Sequence, residues 1–448
     1  MPAREGAGGA VGAPLRSPPT SMLTTRLATS TLKRATSTLK RAALVALTAA
    51  FAGVSASPVM GSAQEQKAPS AVAVAAAVVQ DEQAFALQLL RRLGPGTANL
   101  VLSPSSLAEL LAMVEAGASG TTEAGIARAL QSEGLSALEQ ARGWQALGAE
   151  LEAAARAGHS TLNTANAAWL KDGLVVRDAY LRTLSQDFGA SVERASLLDP
   201  SAAAATINAW VASRTGGHIA HLLSARQLVD AVAVLVDAVY FDAPWARAFA
   251  ASLTAPAPFY ISRAKTARVE MMSSGQGRTY AVSVSPSLEA ARLGYAGGKF
   301  SALVLMPPLG QLQHFEAGLT PEELSRIVSH LQLEPAIVKL PKFSISSELS
   351  LGGALAKMGM GQAFSPSANF SNLSPEPLRL SFVVHDAQVV VSEKGTEASA
   401  ATGTGIVATA VPSEKLPELV FDHPFVLLVR DNRSGAVLFE AQVGDPAQ

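Results

Sequence analysis

The chain contains no cysteine. That absence removes disulfides, thiolate nucleophiles and cysteine-held zinc or iron–sulfur sites together, and it leaves the redox compartment open. Histidine is scarce too, with 7 in 448 residues. No two of them stand at an HExxH spacing, so the sequence supports no metal centre and implies no cofactor. Charged residues make up only 16%, and the formal net charge is −1. Without an excess of either sign there is no electrostatic case for binding nucleic acid or an anionic membrane surface. A GxSxG nucleophile elbow is missing as well. What the chain has in quantity is hydrophobic residues, 48% of the total. That is enough for a large core, in one large domain or two to three ordinary ones.

The first residues, 1–21, are rich in Gly, Pro and Ala. A tandem repeat follows, Thr29–Ala35 recurring as Thr36–Ala42, and each copy contains SxxK (Ser30–Lys33 and Ser37–Lys40). That tetrad carries the nucleophile of penicillin-binding enzymes, but neither SDN nor KTG follows. Both copies sit in a basic low-complexity segment, so the hydrolase reading is set aside. Lys33, Arg34, Lys40 and Arg41 stand before an apolar run, Ala42–Val54, too short to span a bilayer. Small residues then offer cleavage after Ala56 or Ala63. This is the order of a secretory signal peptide. The expected organisation is an N-terminal extension and signal over 1–63, a linker over 64–79 whose polar part is Gln64–Ser70, and a domain over 80–446. The product is expected to be secreted or periplasmic, with no membrane attachment after signal removal.

Helical spacing marks Ala71–Leu93 through Phe85, Leu89, Leu90 and Leu93, then Leu107–Ala116, Thr121–Leu130 and Asp178–Phe188. Strand patterns occur at Thr164–Leu170, Ser301–Pro307, Ala336–Phe343, Leu380–Val391, Leu419–Val429 and Leu438–Val443. Ala231–Phe241 is almost continuously apolar, as a central strand covered on both faces should be. Ser350–Met358 reads as a short helix. Helices and strands are interleaved without a βαβ repeat, which argues an α+β fold.

Between the strands at Leu380–Val391 and Leu419–Val429 runs a connection far longer than a turn, without Trp, Tyr or Phe. Such loops are usually functional or disordered. From Thr396 to Thr402 the side chains are small, with one charge, and Gly395 offers a hinge. From Ile406 to Val411 the loop becomes apolar and β-branched, a tip that a protease groove accepts as an extended strand. Gly403–Ala408 fits GxGxxA, but no strand precedes it and Pro412 follows, so it is not a nucleotide site.

The segment Glu393-Lys394-Gly395-Thr396-Glu397-Ala398-Ser399-Ala400-Ala401-Thr402 resembles the hinge of an inhibitory serpin. Further stretches resemble the same family in the same order: Asn99–Ser106 (NxxxSPxS), Asn208–Ile219 (NxWVxxxTxGxI), Ala231–Phe241 followed by Trp245, and His423-Pro424-Phe425. The resemblance covers about residues 80–444. It implies an α+β serpin-like fold with three β-sheets, eight or nine helices and an exposed reactive loop at about 393–416.

It also implies a one-use trap of a serine endopeptidase, not an enzyme, and a monomer. A non-inhibitory serpin-like binding protein is the alternative, which bulky or charged hinge residues would have favoured. The hinge would comprise Glu393, Gly395, Thr396, Ala398, Ser399, Ala400, Ala401 and Thr402, and the reactive bond would be Thr409–Ala410. Small and β-branched residues there suit an elastase- or subtilisin-like pocket, while cleavage at Lys415 would suit trypsin. Under the centre of the main sheet, the resemblance places His385 in hydrogen bonds to the serines Ser103 and Ser106. Asp237 stands nearby where Asn is usual, a carboxylate able to pair with a protonated His385 or to raise its pKa. Trp245 would lie at the upper end of the sheet, where insertion begins.

Overall fold

The computed structural model describes residues 70–94, 98–188, 192–396 and 416–448. The expected signal and extension over 1–63 lie outside these residues. So do Ala398, Ser399, Ala400, Ala401 and Thr402 of the hinge, and Thr409 and Ala410 of the reactive bond.

The first helix, α1 (Ala71–Leu93), starts where the Ser70 side chain accepts the Ala73 N–H, and ends on Arg91 and Arg92, whose charge suits the C-terminal dipole. Residues 71–79 therefore belong to a packed helix and not to a linker. Val74, Val78 and Val79 are buried on its inner face, and that burial is what holds the segment helical. After the short strand β1 (Leu100–Leu102), α2 (Pro104–Gly117) begins on Pro104, whose missing N–H costs nothing in the first turn. α3 (Thr121–Leu130) follows, and α4 (Ala137–Ala157) opens on a capping box between Ser136 and Glu139. The spacing did not mark α4. Gly143 and Gly148 interrupt it, and its buried face is a thin line of Trp144, Leu147 and Leu151.

Strand β2 (Thr161–Lys171) leads to α5 (Asp178–Arg182). The helix expected over Asp178–Phe188 is split, because Thr183–Phe188 continues as a π-helical turn. Then come β3 (Val192–Ala195), α6 (Pro200–Arg214), capped by Asp199, and β4 (Ala233–Pro244). The antiparallel pair β5 (Ala255–Tyr260) and β6 (Thr266–Ser273) and, in another sheet, the meander β7 (Thr279–Ser285), β8 (Leu288–Gly294) and β9 (Phe300–Met306) are followed by α7 (Leu312–Gly318) and α8 (Pro321–His330). Next are β10 (Gln332–Pro335), β11 (Ile337–Pro341), β12 (Phe343–Ser350), α9 (Gly352–Lys357) and β13 (Phe382–Val391). The chain closes with β14 (Gly395–Thr396), β15 (Glu418–Val420), β16 (Phe425–Asp431) and β17 (Val437–Val443).

Two expected strands are each two. Leu419–Val429 divides into β15 and β16, which lie in different sheets, because Asp422, His423 and Pro424 turn the chain and Pro424 cannot donate to a ladder. Ala336–Phe343 divides at Pro341 and Lys342 into β11 and the start of β12.

Among the described residues there are nine α-helices and three sheets. One sheet runs β1-β17-β16-β9-β8-β7-β10, a second β15-β11-β6-β5, and the main sheet β12-β13-β14-β4-β2-β3. Alternation along β4 divides the core. Leu235, Val239 and Phe241 face the large cluster that includes α2, while Val234, Val236 and Ala238 pack under α6 against Ile207 and Val211. Burial on both faces explains the unbroken apolar run of this strand.

Candidate functional site

The site begins where β4 and β13 meet. These two strands run parallel and pair directly from Phe382↔Val234 to Ala387↔Val239. Above that level they separate, and β14 lies between them, antiparallel to both: Thr396 faces Val391 on one side and Ala243 on the other. The first residues of the long loop thus occupy the mouth of a cleft that two parallel strands close below.

Gly395 is required here by close approach. A Cβ on it would stand 2.2 Å from the Ala243 carbonyl oxygen and 2.7 Å from the Pro244 Cα, both backbone atoms that cannot swing away. Thr396 is 1% exposed, and its hydroxyl lies 2.5 Å from that of Tyr295. Burial pushes the Tyr295 phenol up, and the Thr396 hydrogen bond offsets only part of this.

The approach to the hinge is held from three sides. The Trp245 indole N–H donates to Ser392 O at 2.9 Å, and its backbone N–H donates to Lys394 O at 2.8 Å. The Trp245 ring stacks on Tyr295 with centroids 4.6 Å apart. The Phe249 N–H donates to Glu393 O. The Glu393 carboxylate meets Lys342 Nζ at 3.0 Å and accepts from the Thr254 hydroxyl, also at 3.0 Å. Burial raises the Glu393 pKa, but its own backbone N–H, Lys342 and Thr254 outweigh that and hold it below the usual carboxylate range.

Lower down, the direct pairing of β13 and β4 sets His385 beside Asp237, both fully buried. The backbone N–H of Ser103 donates to His385 Nε2 at 3.0 Å. That nitrogen is therefore an acceptor, so the proton sits on Nδ1, which donates to Asp237 Oδ1. The ring is then a neutral imidazole held by a carboxylate, so this pairing with Asp237 forms without a protonated His385. The two serines also divide differently from the implied pattern. Ser103 reaches His385 through its backbone and sends its hydroxyl to Leu438 O. The Ser106 hydroxyl lies 2.5 Å from Asp237 Oδ2 and 2.6 Å from Asn166 Oδ1, away from the histidine. The cluster ties α2, β2, β4 and β13 together at one level.

The structure thus brings Glu393, Gly395, Thr396 and Trp245 into one group and Ser103, Ser106, Asp237 and His385 into another. Sequence reasoning missed Tyr295, Thr254, Lys342 and Asn166. None lies in a marked motif, and each joins the site through a contact distant in sequence. No group of three or more His, Cys, Asp or Glu side chains able to hold a metal occurs among the described residues.

A family model described as "Serpin (serine protease inhibitor)" matches residues 80–446. Leukocyte elastase inhibitor of Bos taurus is 34% identical over 360 residues, covering 78% of this chain and 93% of its own. An uncharacterized serpin-like protein of Thermococcus kodakarensis is 31% identical, covering 82% and 86%. Among solved structures, human glycosylated kallistatin superposes with a TM-score of 0.74 at 26% identity, covering 83% of this chain and 99% of its own. Human thyroxine-binding globulin complexed with thyroxine superposes with a TM-score of 0.73 at 27% identity, covering 84% and 100%.

Proposed function

The chain belongs to the serpin family, and from that premise we propose that it inhibits a serine endopeptidase of elastase- or subtilisin-like specificity by inserting its cleaved loop into the main sheet. The observation that carries this reading is the seat of Gly395–Thr396 between two parallel strands. A strand entering from above is antiparallel to both neighbours, so it can replace every hydrogen bond it breaks between β4 and β13 with two ladders of its own.

The seated residues set a register. Continued downward, it brings residue 402 between His385 and Asp237 and residue 405 to the last direct pair, Phe382 and Val234. Because Thr396 faces the core, period-2 alternation turns Ala398, Ala400, Thr402 and Thr404 inward and sends Glu397, the charge of this stretch, to the outer face. Every inward side chain is small, which lets the strand enter a close-packed core. From Thr396 to Thr409 the inserted strand spans ~45 Å at about 3.3 Å per residue. A protease acylated at Thr409–Ala410 is carried to the far end of the sheet, and no catalytic residue of the inhibitor takes part.

Thr409 and its neighbours Val407, Ala408, Ala410 and Val411 offer nothing to a pocket with a buried carboxylate and suit a shallow apolar one. The relation to leukocyte elastase inhibitor supports that choice. The same reading takes residues 1–63 as extension and signal, so that the inhibitor acts as a monomer outside the cytoplasm. The relation to thyroxine-binding globulin keeps a non-inhibitory binding role as the competing reading.

The test is to mix the protein with elastase, subtilisin and trypsin. An SDS-stable complex with the first two, and a C-terminal fragment by mass spectrometry beginning between Ala408 and Val411, is the expected result. A melting scan should show cleavage raising thermal stability. Cleavage without a complex, together with a lower melting temperature, supports the binding role, and a fragment beginning at Leu416 assigns a trypsin-like target.

A further inference from the structure

Beside the His385–Asp237 cluster, α2, α4 and β2 enclose a cleft of about 440 Å³. A second space of about 150 Å³ shares Glu109, Trp144, Gly148, Glu152 and Thr164 with it and reaches inward to Ser103 and Ser106. Three aromatic side chains stand among polar ones in the lining: Trp144 and Phe188 are buried, and Trp210 forms part of the rim. The polar groups are unbalanced. Glu109 projects from the second turn of α2 and has neither a hydrogen bond nor an ion pair among the described residues. Arg214, the basic residue of the lining, stands over the Trp210 ring at 5.5 Å from its centroid. Glu152 is bound to Arg156 one turn along α4.

Burial, and then the neighbouring carboxylates of Asp237 and Glu152, push Glu109 up to about 7. The protein places a partly ionised carboxyl beside aromatic side chains, with no ion pair to it among the described residues. A carboxylate beside aromatic faces is the chemistry that recognises an organic ammonium, and the volume falls within the range of small-molecule sites. We propose that this cleft binds a small organic cation, an amine with a flat apolar body, its ammonium on Glu109 and its body between Trp144 and Phe188. The site is separate from the loop hinge, and it stands whether or not the loop traps a protease.

Calorimetric titration with tryptamine, and with tryptophol as its neutral isostere, tests this on the full chain. Tryptamine should bind at one site, and tryptophol should bind at least about tenfold more weakly, the worth of one hydrogen bond to a charged group. Glu109→Gln should weaken tryptamine by a similar factor. Gly148 lies on α4 where an added Cβ meets nothing within 4 Å, so Gly148→Leu fills the cleft from its wall and should abolish binding. Equal affinity for tryptophol and tryptamine overturns the role of the charge and needs no variant to be folded. Binding that survives Gly148→Leu, or no binding at millimolar tryptamine, overturns the site.

Discussion

The hydroxyl of Thr396 lies 2.5 Å from that of Tyr295, 101 residues away in sequence, and both side chains are buried. On the insertion mechanism proposed above, the loop continues downward from this seat and needs its first residue positioned without being locked. One hydrogen bond between neutral hydroxyls does this, since its net worth is about 1 kcal/mol.

Thr396→Arg should abolish inhibition while leaving the loop open to cleavage. The guanidinium would have to enter a position that is 1% exposed and lies against Tyr295, and burying an unpaired charge costs several kcal/mol. A gel assay with a target protease reads the outcome as cleaved inhibitor without complex. Undiminished trapping by this variant would overturn the insertion mechanism.

Gly395→Ala should unseat the hinge in the uncleaved protein. The new Cβ meets the backbone at Ala243 and Pro244, which leaves β14 no way to keep its place. Trp245 is bonded to Ser392 and Lys394 on the same segment, so its fluorescence should shift, and the amide of Thr396 should lose protection from hydrogen exchange. Unchanged exchange at Thr396 would show that the approach is relieved some other way.

Asp237→Asn and His385→Ala should differ sharply. An amide oxygen can still accept the Nδ1–H of His385, and the amide nitrogen can donate to the Ser106 hydroxyl, so the first change should cost no more than about 1 kcal/mol. Removing His385 leaves the Asp237 carboxylate buried without its principal partner, a loss on the order of 3–5 kcal/mol. Chemical denaturation of the two variants checks the ranking, and similar losses for both would refute the neutral-imidazole assignment.

Stability should fall as pH rises from about 5 to 8. Burial, as the leading cause, pushes Glu82, Glu316 and Glu440 each up to about 8, and the charges of Glu316 and Glu82 add to the rise at Glu440. A carboxyl whose pKa is raised on folding binds more protons folded than unfolded between the two values. Its contribution is complete below about 4.5 and is lost as pH climbs through about 8. At roughly 1.4 kcal/mol per pH unit of displacement for each group, the total reaches at least a few kcal/mol. Both carboxyl oxygens of Glu440 lack a hydrogen-bond partner among the described residues, so Glu440→Gln should raise the melting temperature at pH 8 and flatten the profile. Melting scans from pH 5 to 9 decide it, and a wild-type profile rising toward pH 8 would contradict the assignment.

The sequence by itself determined what is local. Pro104 after Ser103 announces the start of α2, because a helix start depends on residues a few positions apart. The unbroken apolar run of β4 announces a strand covered on both faces, and the small side chains after Gly395 announce a segment able to enter a packed sheet. Strand ends were less legible. Pro341 and Pro424 divide elements that apolar content alone joins, because which sheet a strand serves depends on partners elsewhere. Tertiary structure alone decided the working contacts. Glu393 finds Lys342, Ser106 finds Asn166, and Thr396 finds Tyr295, through the order of strands in the main sheet and the sheet behind it. It also decided which ring nitrogen of His385 accepts, since the Ser103 N–H that claims Nε2 reaches it only when α2 docks beneath β13. Hydrogen bonds and charges act over a few ångströms of space, and no pattern along the chain encodes which distant residues come within that range.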